Sequence, residues 1–480
     1  MTRFIPGFAL RIDRNFLTIF LLGLLLVTHI GCIGSIGNIN IVPLSAKIQN
    51  ADNAYDAAAA IVTRSDDAEE KQKARAKQQE LYDRAMSIYL EVIAQDADGK
   101  YAQRSHYQIA RIYKKYYEWD KADEHYKAIV ELDPTGYYAS EAKSGSANIL
   151  KSRQLITTEL ANYQNYKALY DTQKAEGTAD AEELEETYDI AATSLYKVAQ
   201  AYEALENYPQ AIETFERMAR EFPDHKRGVQ AQYQVGNIYF YKLYDYTNSG
   251  GWGAFVKVAQ NFPDTYEAEQ VVILLNKAQK LLTEIKQLQD ENLQYRSKKA
   301  RDFEEDGRYI RPSEKWLMAR TDVVVQNFQQ IARNWKELRN YPNAIETFKV
   351  IISDLSHKKF AVADAYFQTG ALYQQNGQYE RAIDAYEDLF DNAAESEAWR
   401  NEAVYQQAVC YRAIREFAKA YKGFKTYVSL TKGDRSYLRE AEQILRQYEL
   451  DQDRDGILFY QELENGTSDQ EPNSLKGSAF

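Results

Sequence analysis

The sequence predicts an all-α protein assembled from stacked helical hairpins, and three observations carry that prediction. Helix breakers are sparse, with 9 Pro and 22 Gly in 480 residues, and runs of Ala, Gln, Glu, Lys and Leu fill the intervals as helices require. An alanine followed four residues later by an aromatic recurs at Ala85/Tyr89, Ala122/Tyr126, Ala211/Phe215, Ala344/Phe348, Ala382/Tyr386 and Ala420/Phe424. Tyrosine is abundant, 38 against 19 Phe, which suits helix surfaces that bury a ring and keep a polar tip for a partner.

Composition narrows the function. Hydrophobic residues at 45% and charged residues at 27% are ordinary for folded soluble chains. A net charge of -12 repels phosphate backbones, so no nucleic-acid partner is expected.

The start reads as a targeting segment. Arg3, Arg11 and Arg14 precede an apolar run from Phe16 to Ile30, the layout of an export signal over 1–31. Gly31-Cys32 then resembles the cleavage site of bacterial lipoproteins, with His29 in a place usually aliphatic. That resemblance implies lipidation of Cys32 and membrane attachment through a tether over 32–50; an uncleaved anchor and simple secretion are the alternatives. Ile33, rather than an aspartate, follows the cysteine, and by the same resemblance points to the outer membrane, facing the periplasm. Cys410 lies in a helical pattern and reads as a small buried residue.

The repeat extends beyond the alanines. Nine residues before all but the first lies an aromatic, Tyr113, Tyr202, Trp335, Tyr373 and Tyr411, and three residues earlier a small residue, Ala110, Ala199, Ala332, Gly370 and Ala408. Turn-forming segments such as LENYPQA and LRNYPNA separate the halves, and a distorted further copy carries Gly236, Tyr239, Phe255 and Pro263 with the insert NSGG. This pattern resembles the tetratricopeptide repeat across most of 75–436, which implies a solenoid of helical hairpins. Spacings of 37 residues from Ala85 to Ala122 and 38 from Ala344 to Ala382 exceed the usual ~34. Phrases such as FERMAREFPDHKRGVQAQYQVGNIY are similar to the bacterial envelope subgroup that includes the outer-membrane assembly lipoproteins of the BamD (YfiO) type and the periplasmic Tol-Pal coordinators.

Two gaps break the series. One gives a helical insertion near 145–190 inside an N-terminal repeat block over 51–264. The other, within a long helix and linker over 265–320, places Val271, Leu274, Ala278, Leu281, Ile285, Leu288, Asn292 and Tyr295 on one helix stripe. Packing back on the solenoid, a homotypic coiled coil or a second protein would satisfy that stripe. Gly307 and Pro312 mark the break before a C-terminal repeat block over 321–436.

No enzyme emerges. His106, His125, His225 and His357 lack metal-ligand spacing, and the phosphate-cradling and nucleophile-elbow motifs are missing. One chemical motif is sharp: residues 451–462 read DQDRDGILFYQE, which resembles the calcium loop of an EF-hand. That resemblance implies one calcium ion held by Asp451, Asp453, Asp455, the Ile457 carbonyl and Glu462, with Gly456 at the sharp turn and apolar Phe459 at a place that is often polar. The loop and its entering helix span 437–463, and 464–480 is a polar, disordered tail.

The repeat resemblance also implies a partner groove. The fifth residue of each first helix would face inward, giving an aromatic ladder of Tyr107, Tyr196, Tyr233, Phe367 and Tyr405, with Gln329 the exception. Arg104, Arg111, Lys114 and Lys115 would make one end basic. The alternative is that these rings pack on one another. A protein or peptide partner with apolar and acidic residues fits the groove. The expected function is a non-catalytic scaffold in the bacterial envelope of the BamD type; a Tol-Pal or cell-wall coordinator and a calcium-dependent surface protein are the alternatives.

Overall fold

The computed structural model describes residues 42–62, 65–97, 99–297, 304–305, 308–309, 314–392, 397–430 and 436–467. The export segment, Cys32, Gly307, Pro312 and most of the tail lie outside the described residues. The described helices fall within one unit, Leu44–Phe480.

Its elements are helical. Helices α1 (Leu44–Ala59), α2 (Ala68–Gln95), α3 (Lys100–Lys115), α4 (Trp119–Leu132), α5 (Tyr137–Glu176), α6 (Ala181–Ala204), α7 (Tyr208–Glu221) and α8 (Lys226–Asn237) lead to a π-helical turn at Ile238–Lys242. Then come α9 (Gly251–Asn261), α10 (Tyr266–Ser297), a two-residue antiparallel pairing of β1 (Glu304–Glu305) with β2 (Arg308–Tyr309), and α11 (Glu314–Glu337). Helices α12 (Tyr341–Asp354), α13 (Lys359–Gln375), α14 (Tyr379–Asn392), α15 (Glu397–Ala413), α16 (Phe417–Ser429), α17 (Leu438–Tyr448) and α18 (Phe459–Asn465) complete it. Among the described residues no helix is long and apolar enough to cross a membrane.

Local chemistry sets the boundaries. Asp180 caps α6 by accepting from the Glu182 and Glu183 amides, and Asn207 and Asn340 cap α7 and α12, each with a proline in the first turn. Gly177 closes α5 with φ 63. The six repeat alanines are fully buried, as are Ala110, Ala199, Ala332 and Ala408. Glycine replaces alanine where space vanishes: a Cβ on Gly370 would sit 2.5 Å from the Tyr386 ring and one on Gly236 2.4 Å from Phe255.

Three expectations need adjustment. The range 32–50 is not all tether, because α1 starts at Leu44 and packs on α2 as the missing first half of the Ala85/Tyr89 hairpin. The insertion near 145–190 is a 40-residue helix paired with the 24-residue α6, so it is an extended hairpin running from 137 to 204. No boundary falls at 264/265, since one core runs continuously from Phe240 through Val258 and Val271 to Ile414. The long stripe packs back on the solenoid, with Val271, Ala278 and Ile285 fully buried and Asn292 accepting from Asn327 at 3.0 Å.

The unit curls until its first and later hairpins meet. Tyr138 donates to Glu380 at 2.7 Å and Tyr137 to the Gly377 carbonyl at 3.2 Å. Helix α1 lies in the junction. Its Asp52 accepts from Tyr89 and Arg104, and its Asp56 from Tyr373, Arg381 and Lys349, the last at 2.7 Å. Burial pulls the Asp56 carboxyl upward, but Arg381 and Lys349 outweigh it and hold the group well below the usual carboxylate range.

Candidate partner-binding cavity

The curl borders a cavity of about 1690 Å³ that is open to solvent, beyond the roughly 300–1,000 Å³ of small-ligand pockets. Its wall comes from hairpin turns. Tyr116 and Tyr117 follow α3, Glu206 precedes α7, Tyr244 follows the π-helical turn, Arg339 precedes α12, and Asn376 follows α13. Helix α1 adds Tyr55 and Asp56.

The turns share one backbone feature. Six first-to-second-helix connections place a residue in the left-handed region: Tyr117 (φ 60), Glu206 (φ 59), Tyr244 (φ 50), Arg339 (φ 56), Gly377 (φ 71) and Arg415 (φ 63). That conformation costs a residue with a Cβ roughly 1–2 kcal/mol, and glycine takes it freely. Tyr117, Glu206, Tyr244 and Arg339 all line the cavity.

The cavity is electropositive inside an acidic protein. Of its lining carboxylates, Asp56 is neutralised as described, Glu206 by Lys114 at 2.7 Å and Lys115 at 2.6 Å, and Glu337 by Lys277 at 2.9 Å. Burial raises the Glu206 carboxyl, yet Lys115 and Lys114 prevail and hold it far below its ordinary value. Glu203 is pushed up by burial, which favours its neutral form. Among the described residues no carboxylate lies within ion-pair distance of six lining cations, Arg75, Arg111, Lys242, Arg333, Lys336 and Arg339. Arg111 is held over the Tyr55 ring at 4.9 Å and donates to Gln108 at 3.0 Å.

The expected ladder is mostly a set of internal rivets. Each ring packs on the anchor aromatic of its own hairpin: Tyr107 on Tyr126 (6.3 Å between centroids), Tyr196 on Phe215 (5.4 Å), Tyr233 on Phe255 (5.6 Å), Phe367 on Tyr386 (5.9 Å) and Tyr405 on Phe424 (5.7 Å). Tyr196, Phe367 and Tyr405 are buried, so they do not form an open inner face. Tyr233 alone of the five lines the cavity. Gln329 donates instead to Asp364 at 2.7 Å. The basic end is corrected as well. Arg104 is 3% exposed and paired with Asp52 and Asp384, Lys114 is paired with Glu206, and Arg111 and Lys115 reach the cavity.

Sequence reasoning missed the left-handed turn residues. The recurring turn segments located them, but the backbone state of a single turn residue has no composition signal when glycine is absent.

The histidines show no metal cluster among the described residues. His106 and His125 face each other through Nδ1 atoms 2.8 Å apart, and His225 caps α8.

At the far end the C-terminal loop is folded on its own carboxylates. Oxygens of Asp451, Asp453 and Asp455 lie within 4.8 Å of one another. Asp451 Oδ2 accepts from the Gly456 amide at 3.2 Å and Asp455 Oδ1 from the Ile457 amide at 2.8 Å, while Asp451 Oδ1 is buried with no hydrogen-bond partner. Gly456 sits at φ 89. Glu462 is fully buried on α18, outside the cluster formed by the three aspartates. Helix α18 stacks Tyr460 on Tyr421 at 4.4 Å, so the loop abuts the last hairpin.

The model of the tetratricopeptide repeat matches residues 193–225 and 364–396, which cover the α6–α7 and α13–α14 hairpins. No curated protein matches the chain. Among solved structures it is similar to a tetratricopeptide repeat protein from Parabacteroides merdae, at 14% identity over 72% of this chain and 98% of that one, with a TM-score of 0.20. It is also similar to the TPR2AB-domain:pHSP90 complex of yeast Sti1, at 16% identity, 72% and 98% coverage and a TM-score of 0.20. The P58(IPK) TPR domain matches at 12% identity, 83% and 98% coverage and a TM-score of 0.21. The repeat spacing and the two matched segments lead to one conclusion: this chain is a tetratricopeptide-repeat-containing protein.

Proposed function

We propose that the chain is a non-catalytic scaffold of the bacterial cell envelope that holds a protein partner in its central cavity. Tetratricopeptide hairpins supply extended inner surfaces to partners, and the observation that carries the reading is the cavity itself, too large for a small ligand and lined by residues from separate hairpins. The envelope setting rests on the Arg-flanked apolar run and Gly31-Cys32, which support a lipid anchor on Cys32 and the outer membrane. Within that setting the BamD-type assembly role is the leading reading, supported by the phrases quoted above.

Affinity purification from membranes with mass spectrometry tests the role. Recovery of barrel-assembly subunits supports it; recovery of Tol proteins or peptidoglycan enzymes replaces it with the coordinator reading. Cys32→Ser should release the chain to the soluble fraction, and wild type that takes up no labelled palmitate while the mutant stays membrane-bound overturns the anchor.

We also propose one calcium ion at 451–462. The clustered aspartate oxygens, the orphaned Asp451 Oδ1 and the left-handed Gly456 support it. Asp451, Asp453, Asp455, the Ile457 carbonyl and Glu462 would hold the ion, which neutralises the loop and caps the final hairpin.

A further inference from the structure

We propose that the cavity takes an acidic, extended polypeptide segment, and that Tyr117, Tyr244 and Arg339 recognise it together with Arg111. This rests on the scaffold reading and names the chemistry of the partner.

Charge is the first argument. The lining carboxylates are neutralised by cations or shifted toward the neutral form by burial, and six cations have no carboxylate within ion-pair distance among the described residues. A cationic concavity with low-dielectric walls concentrates anions and excludes basic segments.

Backbone strain is the second. At the cavity the left-handed turn positions carry large side chains where glycine would be easier. Glu206 is accounted for by its bonds to Lys114 and Lys115. Tyr117, Tyr244 and Arg339 are different: among the described residues their side chains make no hydrogen bond or ion pair, Tyr117 lying by the Trp119 ring at 6.4 Å, Arg339 over Tyr241 at 5.8 Å, and Tyr244 packing one side against the core. Tyr117 and Arg339 add little to the core, and Tyr244 leaves its polar tip unpaired, yet the strain is kept, and strain retained at a concave surface points to recognition.

The third argument separates a polypeptide from other anions. Side-chain amides of Gln234, Asn237, Gln375, Asn376 and Gln378 line the same space. Asn237 donates to Gln234, Gln375 to Tyr341 and Arg381 to Gln378, which leaves acceptors on Asn237 and Gln375, a donor on Gln378 and both on Asn376, a mixture that matches the alternation along an extended main chain. A phosphate or sulfate polymer offers acceptors only.

The test uses full-length protein and a fluorescein-labelled decapeptide of alternating glutamate and alanine, with its lysine counterpart as control, read by anisotropy. The glutamate peptide should bind, more weakly as salt rises, and the lysine peptide should not. Arg111→Gln should weaken binding about tenfold. Arg339→Gly and Tyr244→Gly should each weaken it about fivefold, and in Arg339→Gly the melting temperature should hold or rise, because glycine relieves the strained φ. Arg415→Gly, at a turn outside the cavity, should leave binding unchanged, although it also removes the Arg415 hydrogen bond to the Thr135 carbonyl at 3.4 Å. Unchanged binding in Arg111→Gln, Arg339→Gly and Tyr244→Gly overturns the proposal, as does equal binding of the lysine peptide. Tighter binding of heparin that ignores the three substitutions also overturns it. If those variants keep the co-purified envelope partner, the scaffold stands and the cavity assignment falls; if wild type recovers no partner, the scaffold reading itself falls.

Discussion

Arg381 donates to Asp56 across 325 residues of sequence, and both side chains are almost fully buried. The pair bolts α1 to the C-terminal half of the curl, with Tyr373 and Lys349 completing the shell around the carboxylate. Removing one partner of a buried pair strands the other charge in a medium that solvates it poorly, at a cost of about 3–5 kcal/mol. Arg381→Met and Asp56→Asn should each lower stability by that order in urea denaturation, and the double variant should lose less than the sum. Additive losses would show that the pair is not coupled.

The ring rivets give a second expectation. Phe215 is fully buried against Tyr196. Phe215→Ala should cost about 3–5 kcal/mol. Gly370→Ala should cost about 1–3 kcal/mol by overpacking the Tyr386 ring. A Gly370→Ala protein as stable as wild type would place that contact elsewhere.

How much of this could be read from the sequence depends on the range of each interaction. The alanine-plus-four pattern and the small residues were legible, because helical periodicity writes local packing into local spacing. Helix α1 was not. Its core side includes Asp52 and Asp56, and a reading by hydrophobic pattern assigns aspartate to solvent, while the arginines that make those positions internal lie at 104 and 381. Similarly, the ladder rings could be located but not aimed. Whether Tyr405 meets a partner or Phe424 depends on the crossing of two helices, which spacing alone does not encode.

Acid should act through three sets of groups. His125 is pushed down to about 4 by burial and by His106, so in the window from about 6.5 down to 4 the unfolded chain binds more protons and stability falls as pH falls. Asp56 and Glu206, held below their ordinary values, add a further loss as pH drops through 4.5 and 3.8 and below. Asp388 has the opposite sign. Burial and then Asp384 raise it to about 6, so the folded state binds more protons and stability falls as pH rises from 3.8 toward 6. Melting temperatures between pH 4 and 7 should therefore show a shallower slope in His125→Gln and a steeper rise in Asp388→Asn, which should also be more stable than wild type at pH 7. A His125→Gln profile parallel to wild type would remove the histidine pair from the account.

Calcium should stabilise the C-terminal end. A single loop with apolar Phe459 at its ninth place suits an affinity of about 10⁻⁴ to 10⁻³ M, and millimolar calcium should raise the melting temperature by mass action. Titration calorimetry of wild type against Glu462→Gln should show heat only for the former; equal heats would end the assignment. Tyr460→Ala, which removes the stack on Tyr421, should leave binding intact and abolish the thermal gain.

Open solenoids can change length, because each repeat touches only its neighbours and one more can be spliced in without disturbing the ends. This chain has given up that freedom. Asp52 and Asp56 must meet Arg104 and Arg381 at a single junction, and one inserted hairpin would carry Arg381 away by at least the roughly 8–10 Å between packed helices. The number of hairpins between residues 104 and 381 is therefore fixed by a stereochemical ruler, and relatives that keep the junction should vary in loop length and not in repeat count.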